Sequence, residues 1–193
     1  MAGKTKLELG KKDDGLLLTQ EEFAEADFEE PWRYERVKGR LVVMAPEGQD
    51  HIVAGQPFLV ELCAYRKSHP EIVEFVVPQA WVRPDEDTDR MGDIGVFLVS
   101  KRPQPKIPDR VPEIVIEVVS KGKRDRKRDY EEKREEYHRL GVREYVIVDR
   151  FEHRVTVLEW KKDGYTERVL GPEESYTTRL LAGLSIPLNT IIE

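Results

Sequence analysis

Glu117 lies inside the run Ile114-Val115-Ile116-Glu117-Val118-Val119, where a carboxylate loses its hydration unless a cation, a hydrogen-bond donor or a proton compensates it. An acid in that setting reads in two ways, as half of a buried ion pair or as a ligand for a metal ion. Asp93 opens a second apolar run, Ile94 to Val99, so neighbouring strands could bring two carboxylates together. A sparse pair of carboxylates suits Mg²⁺, with Mn²⁺ as a substitute, because Mg²⁺ keeps several waters and takes only one or two protein acids. Zinc would want more histidine.

Hydrolysis of a phosphodiester needs an activated water, neutralised charge on the non-bridging oxygens and a stabilised leaving oxygen. Metal-binding carboxylates with a nearby lysine meet those needs, and Asp93, Glu117 and Lys133 are the candidates. On a strand Glu113, Val115, Glu117 and Val119 share one face. On the following helix Asp129, Lys133 and Tyr137 recur every four residues, a polar stripe able to carry a lysine toward that strand. Each residue also has a plainer reading. Lys133 alone is a solvated helical lysine, Asp93 the first residue after a glycine turn, and His51 a capping or packing group near a helix start. Tyr137 reads as an orienting hydroxyl or a core edge, and Glu113 and Asp149 as acids at strand ends. The basic residues Lys121, Lys123, Arg124, Arg126, Lys127 and Arg128 follow the Glu117 strand, as a solvated loop or as a lip that contacts phosphates.

The elements that must position these groups follow from the hydropathy pattern. Residues 1–15 are polar and read as a flexible lead-in; Thr19-Gln20-Glu21-Glu22 is a capping box for a short helix to about Ala26. Tyr34 to Val37 and Arg40 to Met44 flank Lys38-Gly39 as a hairpin. Asp50 to Arg66 has a helical stripe with Pro57 in its first turns. Ile72 to Val77 and Ala80 to Val82 read as two short strands around Pro78, and Pro84 to Asp89 as a loop. Arg128 to Leu140 is a helix capped by Gly141, ahead of the strand Tyr145 to Asp149, so strand, helix and strand suggest a right-handed crossover. Arg154 to Trp160 and Tyr165 to Leu170 form a hairpin, and Leu180 to Ile192 an apolar tail docked on the body.

The whole chain sets outer bounds. Its 193 residues suffice for a single domain, read as residues 16–193, of mixed α/β (α+β) class. A net charge of -6 argues against general polyanion binding but leaves room for a local basic face. One cysteine excludes an intrachain disulfide and fits a reducing cytoplasm, and no apolar stretch is long enough for export or membrane spanning.

From about Thr19 to its end the chain resembles the Uma family of restriction-endonuclease-like proteins, domain-of-unknown-function family 820, within the PD-(D/E)XK nuclease superfamily. The residues that carry the resemblance are Thr19 with Glu22-Phe23, Tyr34 to Pro46 with Gly39, His51, Gly92-Asp93, Pro112 to Ser120, Asp129, Lys133, Tyr137, Gly141 to Tyr145 and Val148-Asp149. The resemblance implies a mixed sheet flanked by helices, with additional hairpins, and a metal-dependent endonuclease acting on DNA with Asp93 and Glu117 as metal ligands. Two positions depart from the superfamily pattern: Gly92 replaces the proline of Pro-Asp, and Val119 stands where Glu-x-Lys places its lysine. The lysine is therefore relocated or absent. Lys133 is the first candidate for relocation and Lys121 the second. Absence would leave a non-cutting nuclease fold that binds nucleic acid or a protein partner. A homodimer, with two sites facing one duplex, is also expected.

Overall fold

The computed structural model describes residues 6–191. The chain begins with β1 (Glu8–Leu9), a 3₁₀ turn, α1 (Gln20–Glu25), β2 (Asp27–Phe28) and the hairpin β3 (Arg33–Val37) and β4 (Arg40–Met44). The long helix α2 (Gln49–Ser68) leads to β5 (Val73–Asp85), β6 (Thr88–Leu98) and β7 (Ile114–Val118). Next come α3 (Lys123–Lys127), a π-helical segment (Arg128–Glu132), α4 (Lys133–Leu140) and β8 (Glu144–Asp149). The hairpin β9 (Arg154–Lys161) and β10 (Gly164–Leu170) and the short pair β11 (Ser175–Tyr176) and β12 (Ile186–Pro187) complete the order.

The chain divides into two compact units: one holds the described residues up to Glu47 with Arg83–Met91, the other Gly48–Val82 and the described residues from Gly92. In the first unit Thr19 Oγ1 accepts the Glu22 N–H at 3.1 Å while Glu22 accepts the Thr19 N–H at 2.8 Å, the reciprocal cap that starts α1. Lys38 and Gly39 both take positive φ, 52° and 74°, which matches the twist of a two-residue hairpin turn. Residues 6–15, expected as a flexible lead-in, contain β1 and bury Leu9; residues 1–5 lie outside the described residues. The expected loop 84–89 is instead a tight turn between β5 and β6, held by buried charges. Arg36, 1 % exposed, donates to Asp89 at 2.7 Å and to the Glu86 carbonyl at 2.7 Å, and Arg90 donates to Glu35 at 3.0 Å. Asp89 also forms an ion pair with Arg83 at 2.8 Å, so Asp89→Asn removes an anion shared by two guanidinium groups. It is expected to lower the unfolding free energy by about 3–5 kcal/mol, read from the urea midpoint.

The second unit has a mixed sheet in the order β10-β9-β8-β7-β6, with β5 also pairing β6. β7 and β8 run parallel, Ile116 opposite Val146, and the other pairs of known register in this unit are antiparallel. A single long β5 replaces the two short strands expected around Pro78, with Gln79 absorbing the irregularity at φ 52°. Period-two alternation sends Ile114, Ile116 and Val118 to one face, where they pack with Phe58 and Leu62 of α2 and with Leu181, Leu188 and Ile191 of the C-terminal tail. Val115 and Val119 go to the other face, with Tyr137, Tyr145 and Ile147. Both faces of the sheet are thus covered, which is why β7 and β8 read as continuous apolar runs. Ile192, the last residue of the expected tail, falls outside the described residues, as does Glu193.

Candidate active site

Glu117 points to the face of β7 that carries Val115 and Val119 and is only 3 % exposed. Its partner arrives from α4: Lys133 Nζ donates to Glu117 Oε1 at 2.7 Å, and the Tyr137 hydroxyl, one helical turn later, donates to the same oxygen at 3.1 Å. The four-residue stripe therefore faces the strand, and Asp129 completes it with Oδ1 at 4.0 Å from Lys133 Nζ. The π-helical segment ends immediately before Lys133, whose N–H reaches back to the Arg128 carbonyl. Such segments concentrate at functional sites because the extra residue re-aims the side chains that follow.

Asp93 lies within β6 and not at its start, and it is tied to the same strand as Glu117. Its Oδ2 accepts the Val118 N–H at 2.7 Å and sits 3.0 Å from His51 Nε2, in the first turn of α2. Gly92 leaves room for this approach: a Cβ there would stand 2.8 Å from Val115 Cγ1 and 3.6 Å from Glu117 Oε1. A side chain at residue 92 would press on the strand that holds the carboxylate.

Burial pushes the Glu117 carboxyl up to about 8; Lys133 pulls it down, while Asp93 and Asp129 raise it further. Burial likewise raises Asp129, against the pull of Lys133 and Arg128. The Tyr145 hydroxyl is pushed well above its usual range, burial first and then Glu117 and Asp129, and it donates to the Asp129 carbonyl at 2.9 Å. The cluster is thus richer in carboxyl groups than its cations offset. A hard divalent cation fits this donor set, since Asp93 and Glu117 offer oxygen ligands only and Glu117 Oε2 accepts no hydrogen bond among the described residues.

The remaining candidates are dispersed. Glu113 sits at the far end of β7, where it accepts the Leu98 N–H at 2.8 Å and fixes the end of β6. The basic run is helical over Lys123–Lys127 and not a loop. Lys121, Lys123, Arg124 and Lys127 are exposed, whereas Arg126 pairs with Asp149 at 2.8 Å and Arg128 with Asp125 at 2.9 Å and Asp129 at 3.2 Å. Asp149 is a structural anchor that also receives the Tyr130 hydroxyl at 2.9 Å. Val119, where the resemblance would place the superfamily lysine, is fully buried in the apolar cluster. Sequence reasoning missed Asp129 as a member of the site, although the stripe contained it. It also missed the link from His51 to Asp93, for which a separation of 42 residues gave no signal.

The sequence matches, over residues 20–189, the family described as Uma2, putative restriction endonuclease. Among solved structures, a crystal structure described as a putative nuclease belonging to DUF820 from Anabaena variabilis ATCC 29413 is similar, with a TM-score of 0.68 and 16 % identity. That likeness covers 91 % of this chain and 97 % of the other, and it shows the mixed α+β fold. Comparison with the curated proteins gives no match.

Proposed function

Because the chain belongs to the Uma2 family, described as putative restriction endonucleases, we propose that it is a metal-dependent endonuclease that hydrolyses phosphodiester bonds in DNA. Asp93 and Glu117 hold Mg²⁺ or Mn²⁺ in this reading, and Lys133 is the catalytic lysine, relocated from the strand to the next helix. The observation that carries it is the 2.7 Å contact of Lys133 Nζ with Glu117 Oε1, which brings the helical lysine to the carboxylate that the strand lysine would otherwise serve.

A divalent cation bound there supplies Lewis acidity toward a phosphoryl oxygen and lowers the pKa of a water nucleophile. The chain's own residues supply the rest. Lys133 brings an ammonium group to the carboxylate, from which it can donate to the attacking water or to a non-bridging oxygen as negative charge builds. Tyr137 fixes Glu117 Oε1, while His51 and the Val118 N–H fix Asp93 Oδ2, so neither carboxylate has to reorganise when substrate arrives. The exposed Lys121, Lys123, Arg124 and Lys127 follow directly on the Glu117 strand and would contact the phosphate backbone without reading sequence. A homodimer would present two such sites to one duplex.

One observation favours a second reading. The Lys133 and Glu117 side chains are only 2 % and 4 % exposed, which also suits a structural ion pair in a nuclease fold that binds nucleic acid or a protein partner without cutting. Supercoiled, linear and single-stranded DNA incubated with Mg²⁺ or Mn²⁺ separates the two. Metal-dependent cutting by the wild type, reduced at least ~100-fold in a folded Glu117→Ala variant, is the expected result. A variant that cuts at the wild-type rate would sink the metal site; a wild type that binds DNA and never cuts it would favour the second reading.

A further inference from the structure

Helix α2 is apolar on both sides. His51, Ala54, Phe58, Leu62 and Tyr65 face the core. The opposite side, at the same helical spacing, presents Ile52 at 56 %, Val53 at 60 % and Val60 at 54 % exposure, together with exposed Gln56, Cys63 and Ala64. Three exposed β-branched residues on a 20-residue helix are unlike a solvated surface, where that side would carry charge. Charge lies elsewhere on the helix: Asp50 in the first turn, Arg66 and Lys67 in the last, and exposed Glu61 on the flank, about 100° round the helix from Val60.

We infer that this face is where a second copy of the chain docks, α2 against α2 in antiparallel orientation about a two-fold axis. The charge pattern selects both occupant and direction. A parallel pair would set Lys67 against Lys67 of the partner subunit, whereas the antiparallel pair sets the Asp50 end against the Arg66 and Lys67 end at both extremes and opposes the helix dipoles favourably. Alignment of those ends places Val60 opposite Gln56 of the partner subunit, and Val53 opposite Cys63 of the partner subunit. Asp50 is 80 % exposed and its contact with Arg150, at 3.4 Å, is a loose surface pair, so it can turn to the partner. Arg66 already donates its Nε to the Glu74 carbonyl at 2.7 Å, which leaves Lys67 as the more adaptable cation. One helix face offers fewer residues than the roughly 20–30 a side of a standard interface, so the dimer is weak and concentration-dependent. His51 lies in the first turn of the same helix, so the dimer ties the two sites to a common two-fold frame.

Sedimentation velocity on the full chain, from low micromolar to high micromolar concentration, tests the surface without requiring any cutting, so its outcome is separate from that of the nuclease reading. The wild type is expected to shift from monomer to dimer and Val60→Glu, exposed and outside the core, to remain monomeric with an unchanged circular dichroism spectrum. A wild type that stays monomeric throughout, as it would if the face served a different partner, overturns the inference. The register has its own check. Under oxidation, Val53→Cys is expected to give a covalent dimer on a non-reducing gel that disappears when Cys63→Ala is added. The wild type should give none, because its two Cys63 thiols would be offset by about 15 Å along the helix axis. A covalent dimer that survives Cys63→Ala, or none at all, overturns the antiparallel alignment.

Discussion

Lys133→Met is expected to slow DNA hydrolysis by about 10²–10³-fold while leaving the protein folded. The two halves of that expectation rest on the same contact. Lys133 is 2 % exposed and its ammonium is the nearest cation to Glu117, so methionine keeps the packed stem and removes only the charge. Breaking a buried pair ordinarily costs about 3–5 kcal/mol because a charge is stranded. Here Glu117 can escape that penalty by taking a proton, since burial already pushes its carboxyl up to about 8 and the loss of Lys133 removes the main influence holding it down. The stability loss should therefore be small at pH 6, where Glu117 is neutral, and larger at pH 9, where it must either ionise without its partner or hold a proton that the solvent pH disfavours. Urea denaturation at the two pH values reads this difference, and plasmid cleavage reads the rate. Lys133→Arg keeps a charge but replaces a compact ammonium with a planar fork, and should recover only part of the activity. Full activity in Lys133→Met would remove Lys133 from the mechanism and move attention to the exposed Lys121.

The site was legible to the extent that residues broke local rules. Glu117 is conspicuous because a carboxylate in a β-branched run has to be compensated, and Lys133 because it shares a four-residue period with Asp129 and Tyr137. Those two signals lie 16 residues apart, within one strand-helix connection whose geometry is restricted. His51 and Asp93 are joined across 42 residues, and no local pattern encodes which histidine meets which acid. The π-helical segment before Lys133 was also invisible, since Arg128–Glu132 has an ordinary helical composition.

The errors in the fold reading have similar causes. Pro78 punctuates an apolar stretch and suggested two strands, yet a strand can carry proline where its N–H is not needed, and β5 runs through to Asp85. The basic run was open to reading as a solvated loop or as a phosphate-contacting lip; Asp125 within it, with Asp129 and Asp149 beyond, neutralises Arg126 and Arg128 and lets residues 123–127 close into a helix. The turn between β5 and β6 was taken for a loop on its acidic composition, and it is the buried Arg36 and Arg90, distant in sequence from their acids or unremarkable beside them, that order it.

Activity should rise with pH through a midpoint near 8 when the metal is limiting, and that midpoint should move to lower pH as Mg²⁺ or Mn²⁺ is increased. Below it Glu117 is protonated and a poor ligand; above it the carboxylate is ionised, and binding of a cation competes with binding of the proton. The direction for the metal-free fold is opposite. Between the ordinary carboxyl value of 4.5 and about 8 the folded chain holds a proton that the unfolded chain has lost, so this residue's contribution to stability declines as pH rises through that window. A divalent cation that binds only the folded state should restore it, and the metal-induced rise in Tm should therefore be greater at pH 8.5 than at pH 6. Thermal melts with and without metal at both pH values measure this independently of cutting, and Glu117→Gln should flatten the difference because an amide neither titrates nor replaces the anionic ligand. Calcium offers a further control. It can use the same oxygens, but it prefers more ligands and looser geometry, so it should raise Tm without supporting hydrolysis. A metal-induced Tm rise of the same size at both pH values, and unchanged in Glu117→Gln, would place the cation elsewhere and leave Glu117 as the partner of Lys133 alone.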